Sequence, residues 1–301
     1  MPAPQFRLAI ASSRQFLSIH PDDAYLLAVL ERLGIQPTVC VWNDPDVDWT
    51  TFDAVLIRTI WDYFEHYAAF LAWTYTLDRH VVTVINDTHM LRWNSDKRYL
   101  LDLERHGVPI IPTRVAQGAF LHAALSQMDG HDVVIKPTVS GGAWHTVRGT
   151  AGAADFEQAL AKLPPQLDYL VQPFVPEIAS HGEWSLIYFG GTYSHAVLKR
   201  PTEGDYRVQE QHGGSMAQAT PDESIVQAGS RILTAVAALD HQAPIYARVD
   251  GVVVKGQFLM MELEVIEPSL FLAERLDAAE RFARLLLERL QELPRETRRL
   301  G

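Results

Sequence analysis

The chain has 301 residues, 48% hydrophobic and 21% charged, enough to bury a sizeable core without disulfides or a structural metal. Its formal net charge of -11 argues against a nucleic-acid partner, because phosphate backbones demand an excess of Lys and Arg, although a local cluster of lysines can still hold a short phosphate chain. One cysteine rules out an internal disulfide, the opening MPAPQFRLAIASSR lacks a basic stretch followed by a signal-length apolar run, and no apolar segment approaches the ~20 residues of a membrane span, so a cytoplasmic chain without a membrane partner is expected.

In chain order, the first third alternates strand and helix patterns. Residues 6–11, 38–42, 53–59 and 81–86 are β-rich. Residues 21–33 have helical spacing, with Pro21 suited to a first turn and Gly34 to a C-terminal cap, and 64–79 form a long amphipathic pattern. This order predicts an open, mostly parallel α/β domain. Ser95 reads as an N-cap for a helix running to His106. Pro109 and Pro112 mark a lobe boundary. Helices are expected over 119–128 and 155–163, and strands over 133–136 and 169–175. Strands over 183–189, 193–199, 245–254 and 258–265 are joined by Gly-containing turns, which suggests antiparallel hairpins. Helices are expected over 222–239 and 277–293. The fold class expected is therefore α/β and α+β. An N-terminal α/β domain (1–112) would be followed by a small lobe (113–176) and a C-terminal lobe (177–301).

Four local patterns carry chemistry. Lys97 stands near the start of a predicted helix, where an ordinary solvated lysine is the alternative. Lys136 ends the apolar run 133–136 and is followed by Ser140, Gly141 and Gly142. A compact charge beside a loop of unobstructed backbone N–H groups suits phosphate, although this is not a GxxxxGK[ST] loop. The segment Gln172, Pro173, Phe174 and Val175 is an apolar strand with a proline, so it reads as an edge whose backbone could line an adenine ring; a plain edge strand is the alternative. Finally, Asp250 ends the run Ala247–Asp250, and Glu262 and Glu264 follow on a second run. On a strand those two glutamates share a face, where they repel unless a cation lies between them. Carboxylates together with phosphate oxygens suit Mg²⁺.

The order Lys97, Lys136 with its glycine loop, Gln172–Val175, Asp250, Glu262 and Glu264 resembles the ATP-grasp ligases of the glutathione-synthetase and D-Ala–D-Ala ligase type. The resemblance implies an ATP-grasp fold, with ATP held between two lobes behind a substrate-side domain. It implies two lysines on the phosphates and two Mg²⁺ ions, replaceable by Mn²⁺, on Asp250, Glu262 and Glu264. Glu264 departs from the family, which usually carries Asn there. The stretches 58–63, 182–186, 195–201 and 212–215 are similar to the D-cycloserine-forming cyclo-ligases, a family that closes O-ureido-D-serine to a ring.

The chemistry implied is attack of a carboxylate on the γ-phosphate, then displacement of phosphate from the acyl phosphate by nitrogen. Lys199 and Arg207 would contact the phosphates and Arg248 the substrate carboxylate or oxyanion. Arg58 and Glu267 would contact an amino-acid-type substrate. An alternative for Arg58 is a pairing with Asp62 or Asp53 that only stiffens its loop. A dipeptide or glutamyl ligase, a small-molecule kinase and a non-catalytic nucleotide module are the rival readings. The oligomeric state stays open, a homodimer being one option.

Overall fold

The computed structural model describes residues 5–18, 20–202, 214–239, 242–273 and 275–294. Within them the strands form three sheets. The first contains β1 (Phe6–Ser12), β2 (Ile35–Val41), β3 (Ala54–Thr59) and β4 (Val84–Ile85), all parallel in the order β2-β1-β3-β4. β1 and β3 read as near-continuous apolar runs because both faces are covered. Helix α1 (Pro21–Arg32) begins with Pro21 in its first turn, and Gly34 follows it at φ 81°. Helix α2 (Tyr67–Arg79) covers the other face through Phe70 and Trp73.

The second sheet holds β5 (Arg114–Gln117), β6 (Asp132–Pro137), β7 (Val147–Thr150) and β8 (Asp168–Pro173), antiparallel in the order β5-β8-β6-β7. Helices α5 (Leu121–Leu125) and α6 (Ala154–Leu160) pack on it. The third holds β9 (Glu183–Phe189), β10 (Thr192–Arg200), β11 (Ser215–Gln218), β12 (Tyr246–Val254) and β13 (Gln257–Glu264), antiparallel in the order β11-β10-β9-β12-β13. Helix α7 (Glu177–His181) precedes this sheet, and α8 (Glu223–Ala238) lies between β11 and β12. No helix of the described residues is long and apolar enough to cross a membrane.

Two sequence expectations need correction here. The helix expected from Ser95 to His106 is present as α4, but only over Tyr99–Arg105, and Ser95 is not its N-cap: it is the C-cap of a preceding helix, α3 (Thr88–Asn94). Lys97 lies in the turn between α3 and α4, where its backbone N–H donates to Thr138 O, at 2.7 Å, just past the end of β6. The edge expected at Gln172–Pro173 holds only locally: β8 is an inner strand, but the β5 ladder ends at Arg114–Val171, so Gln172 and Pro173 pair with β6 alone, opposite Val134 and Val133. The proline is tolerated because it ends the ladder rather than interrupting it.

The outer edge of β13 is the part of the fold that most directly positions the site. An edge strand leaves a row of unpaired backbone groups. Here they are met by side chains from the first half of the chain. Asn94 Nδ2 donates to Leu263 O (2.8 Å), Tyr99 Oη accepts from Leu263 N (2.8 Å), and Asn86 Nδ2 donates to Val265 O (2.8 Å). Met260 N donates to Pro109 O (2.9 Å).

The last helix, α9 (Leu276–Glu292), returns to the first sheet. Its buried Ala278, Ala279, Phe282, Ala283, Leu286 and Leu290 share a core with Leu26, Val29 and Leu30 of α1. Phe282 also stacks on Phe189 of β9, with ring centroids 4.6 Å apart. Burying a side chain of that size contributes roughly 1.5–3 kcal/mol, so the end of the chain clamps the first sheet to the third.

Candidate active site

The antiparallel register of β12 and β13 places Arg248 opposite Glu264 and Asp250 opposite Glu262. Residues two apart on a strand share a face, so all four side chains project together. β9 adds Ser185, opposite Asp250, and Glu183 two positions away; β10 adds Lys199, opposite Glu183. Lys97 enters from the turn before α4, and Lys136 from the end of β6.

Charges alternate across this face. Arg248 binds Asp250 with Nε (3.0 Å to each oxygen) and Nη2 (2.8 Å), and Nη2 also reaches Glu264. Ser185 Oγ donates to Asp250, and Lys199 Nζ lies 3.2 Å from Glu183 and 3.7 Å from Asp250. Lys97 Nζ lies 2.9 Å from Glu262 and donates to Ser140 O at 2.7 Å. Lys136 makes no ion pair among the described residues. Burial presses its ammonium pKa down, with Lys97 adding to the effect and Glu262 opposing it. A half-buried cation with no ion pair among the described residues is suited to an anionic ligand.

The carboxylates divide into two groups. Burial works to raise Asp250 and Glu262, but Arg248 and Lys199 outweigh it at Asp250, and Lys97 and Lys136 at Glu262, so both lie below the usual range. Glu264 is pushed up to about 7 and Glu267 to about 8, first by burial and then by carboxylate neighbours. Negative charge is thus in excess at the end of β13, beside the lysines, and the donors are hard carboxylate oxygens. Both features fit Mg²⁺. The two glutamates are, however, each met by their own cation, Glu262 by Lys97 and Glu264 by Arg248, and among the described residues no three acids converge as a preformed metal cluster. Asp250 has both oxygens engaged by Arg248, so it could ligate a metal only if that fork yields one of them.

The remaining expected site residues are placed as follows. Ser140, buried, donates its hydroxyl to Pro137 O; Gly141 packs against Phe64; Gly142 has φ 55°. Gln172 is buried and donates to Thr113 Oγ1 (2.7 Å), Phe174 N donates to Asp132 O (2.9 Å), and the Arg148 guanidinium lies 3.3 Å from the Phe174 ring centroid. Val175 is buried with Ile111, Ile178 and Val252. Arg207 lies outside the described residues, as do His212 and Gly213 of the 212–215 stretch.

Arg58 requires a correction. It does not present its fork to the cleft, being 2% exposed. Nε donates to Asp23 (2.8 Å) and Nη2 to Pro268 O (3.0 Å). Its partner is neither Asp62, which accepts from Trp42 Nε1, nor Asp53, which accepts from Arg7 N. Glu267 stays at the site, its carbonyl accepting from Trp61 Nε1 (2.9 Å).

Sequence reasoning missed Glu183 and Ser185, although their spacing of two on a strand was a usable signal. It also missed Asp22, whose carboxylate accepts the N–H groups of Leu270, Phe271, Leu272 and Ala273 and so fixes the loop after the carboxylate strand. Nothing local announces a contact 250 positions away.

Residues 8–86 match the family model for the N-terminal domain of the D-cycloserine synthetase DcsG. Over 297 residues the chain is 35% identical to the cycloserine biosynthesis protein DcsG of Streptomyces lavendulae, covering 94% of this chain and 99% of that protein. This chain belongs to the DcsG family of ATP-grasp ligases. A crystal structure of D-cycloserine synthetase DcsG superposes with a TM-score of 0.82 at 33% identity, covering 94% of this chain and 99% of that one. The D-alanine–D-alanine ligase of Bacillus anthracis superposes at 0.73 and 15% identity, over 97% and 99%, which identifies the shared fold. As a DcsG-family member, the chain is an ATP-dependent ligase that forms carbon–nitrogen bonds, and the three sheets form an ATP-grasp fold.

Proposed function

We propose that this enzyme activates the carboxyl group of a small amino acid as an acyl phosphate and closes it on a nitrogen of the same molecule, as in the formation of D-cycloserine from O-ureido-D-serine. The observation that carries the reading is the face of β12 and β13. Arg248, Asp250, Glu262 and Glu264 alternate there beside Lys97 and Lys136.

In this reading Lys97, Lys136 and the Ser140–Gly142 loop hold the triphosphate, the exit of β8 at Gln172–Val175 runs along the adenine, and Lys199 contacts the transferred phosphoryl group. Arg207 is assigned the same role from sequence. Glu262 and Glu264, with Asp250 once Arg248 lets it go, would hold Mg²⁺, which neutralises the charge that builds up between carboxylate and γ-phosphate. Arg248, released from Asp250, faces the oxygen of the carbonyl under attack. One carboxylate oxygen attacks the γ-phosphorus and ADP leaves; a substrate nitrogen then attacks the acyl carbon and phosphate leaves, and with O-ureido-D-serine water must also remove the carbamoyl group of that nitrogen as carbon dioxide and ammonia to give D-cycloserine. The proposed division is a substrate-side domain over 1–112 and ATP-holding lobes over 113–176 and 177–301, in a cytoplasmic enzyme.

ADP release should be measured with O-ureido-D-serine and with a panel of amino acids, and the products separated. ADP, phosphate and a cyclic product support the reading. A linear dipeptide would redirect it to a two-substrate ligase, and a stable phosphorylated product to a kinase.

A further inference from the structure

Besides Lys97, the phosphate loop meets an aromatic side chain of the N-terminal domain whose role the proposed reaction leaves open. Phe64 follows a tight turn: Tyr63 N donates to Ile60 O (3.0 Å) and Glu65 N to Asp62 O (3.1 Å). Its ring is braced edge-on by buried Tyr63, with centroids 5.9 Å apart, and meets Trp144 of the loop at 5.6 Å. Against Gly141 the fit is closer still. A Cβ built there would lie 2.6 Å from Phe64 Cε1 and 2.9 Å from Cδ1, and the three atoms nearest to it all belong to Phe64. Gly141 is not among the positive-φ residues, so the glycine is required by the ring and not by its own backbone.

The loop runs through left-handed conformations at Gly142, Ala143 and His145, which are unfavourable for the two non-glycine residues. At its start, Ser140 O accepts from Lys97, a lysine expected to turn to phosphate when nucleotide binds. A strained loop that gives up that contact needs another fixed surface to stay in place over the phosphates. The turn carrying Phe64 is anchored independently, since Asp62 accepts from Trp42 Nε1 (2.8 Å) and Trp61 Nε1 donates to Glu267 O.

We propose that Phe64 is a positioning residue: its ring is the stop against which the Ser140–Gly142 loop closes, so the N-terminal domain sets the height of the loop over the triphosphate. The inference rests on the nucleotide-binding reading above and deepens it. Phe64 touches neither nucleotide nor reacting atoms; it acts through Gly141.

The test is a double-variant cycle on the full chain, read by calorimetric titration with Mg²⁺ and a non-hydrolysable ATP analogue. Phe64→Ala should weaken analogue binding at least fivefold, while Phe64→Leu, which keeps bulk at the stop, should recover most of the affinity. Gly141→Ala should weaken binding at least fivefold in the presence of the ring. Added to Phe64→Ala it should cost less than twofold more, because the methyl then has nothing to strike. A purely structural role for Phe64 would not produce that relief. Unchanged affinity in Phe64→Ala, or an equal loss from Gly141→Ala with and without the ring, overturns the inference while the functional reading stands. A wild-type chain that binds no analogue overturns both.

Discussion

Arg58 Nε donates to Asp23 Oδ1 at 2.8 Å, and each side chain is 2% exposed. The pair joins the end of β3 to the first turn of α1, and Nη2 extends it to Pro268 O in the loop after β13. Breaking a buried ion pair from one side leaves an uncompensated charge and costs about 3–5 kcal/mol. Asp23→Asn should therefore lower unfolding free energy by an amount of that order in denaturant titrations. Arg58→Lys, which loses the planar fork, should also lower the melting temperature while leaving KM for the amino-acid substrate within about twofold. A KM raised about tenfold with an unmoved melting temperature would restore Arg58 to the substrate pocket.

The strand carboxylates should separate catalysis from stability. Glu262→Gln and Glu264→Gln should reduce substrate-dependent ADP release on the order of 100-fold or more, the scale of losing one preorganised charge-stabilising group. Circular dichroism should show the fold retained. Asp250→Asn should differ, since it takes the charge from the partner of buried Arg248 and of Lys199, and should lower both activity and stability. Near-wild-type turnover in Glu262→Gln would remove β13 from the reaction.

Lys136→Ala should weaken binding of the ATP analogue about tenfold, roughly 1.4 kcal/mol, and change amino-acid KM little. Its melting temperature should hold or rise. The side chain is half-buried, its pKa is pressed down by desolvation, and it makes no ion pair among the described residues, so it adds little to stability until an anion arrives. A clear drop in melting temperature would give Lys136 a structural role instead.

His195 sets a pH dependence of stability. Its ring is 2% exposed, with Nε2 2.9 Å from Leu270 O and Nδ1 2.9 Å from Ser194 Oγ, which also accepts from Arg281. Burial, with Arg275 and Arg281 adding to it and Leu270 O and Asp22 opposing, lowers its pKa to about 4 from 6.5. The unfolded chain therefore binds a proton that the folded chain refuses. This contribution is fully present above about pH 6.5 and declines as pH falls towards 4, by up to about 1.4 kcal/mol per unit. Denaturant titrations at pH 7 and pH 5 should show a fall that is smaller in His195→Gln by up to one proton's worth of slope. Equal slopes in the two proteins would exclude His195 as the source.

Much of the site was legible because its signals are local and periodic. Glu262 and Glu264 announced a shared strand face by spacing, Lys136 suggested a phosphate site by ending an apolar run before a glycine loop, and the order of these features pointed to the family. The helix around Lys97 misled for an equally physical reason. Ser95 is a good N-cap by type, and only the tertiary hydrogen bond from Lys97 N to Thr138 O shows that the chain turns there. Pro173 suggested an edge because a proline cannot donate to a ladder; β8 as a whole is an inner strand, and Pro173 stands where the β5 ladder has already ended.

The sequence alone therefore determined most of the longer elements and their order, several of the charged residues that share the site face, and the ligase family, since apolar periodicity and residue type act over a few positions. Tertiary structure decided which charges neutralise which. Arg248 could have faced substrate or Asp250, Arg58 could have faced the cleft or Asp23, and Phe64 could have been one more core aromatic rather than the surface beneath Gly141. Those choices depend on segments up to 250 positions apart arriving within hydrogen-bond or van der Waals distance, as Asp22 does at the N–H groups of Leu270–Ala273. Such forces fall off over a few ångströms in space and leave no period along the chain.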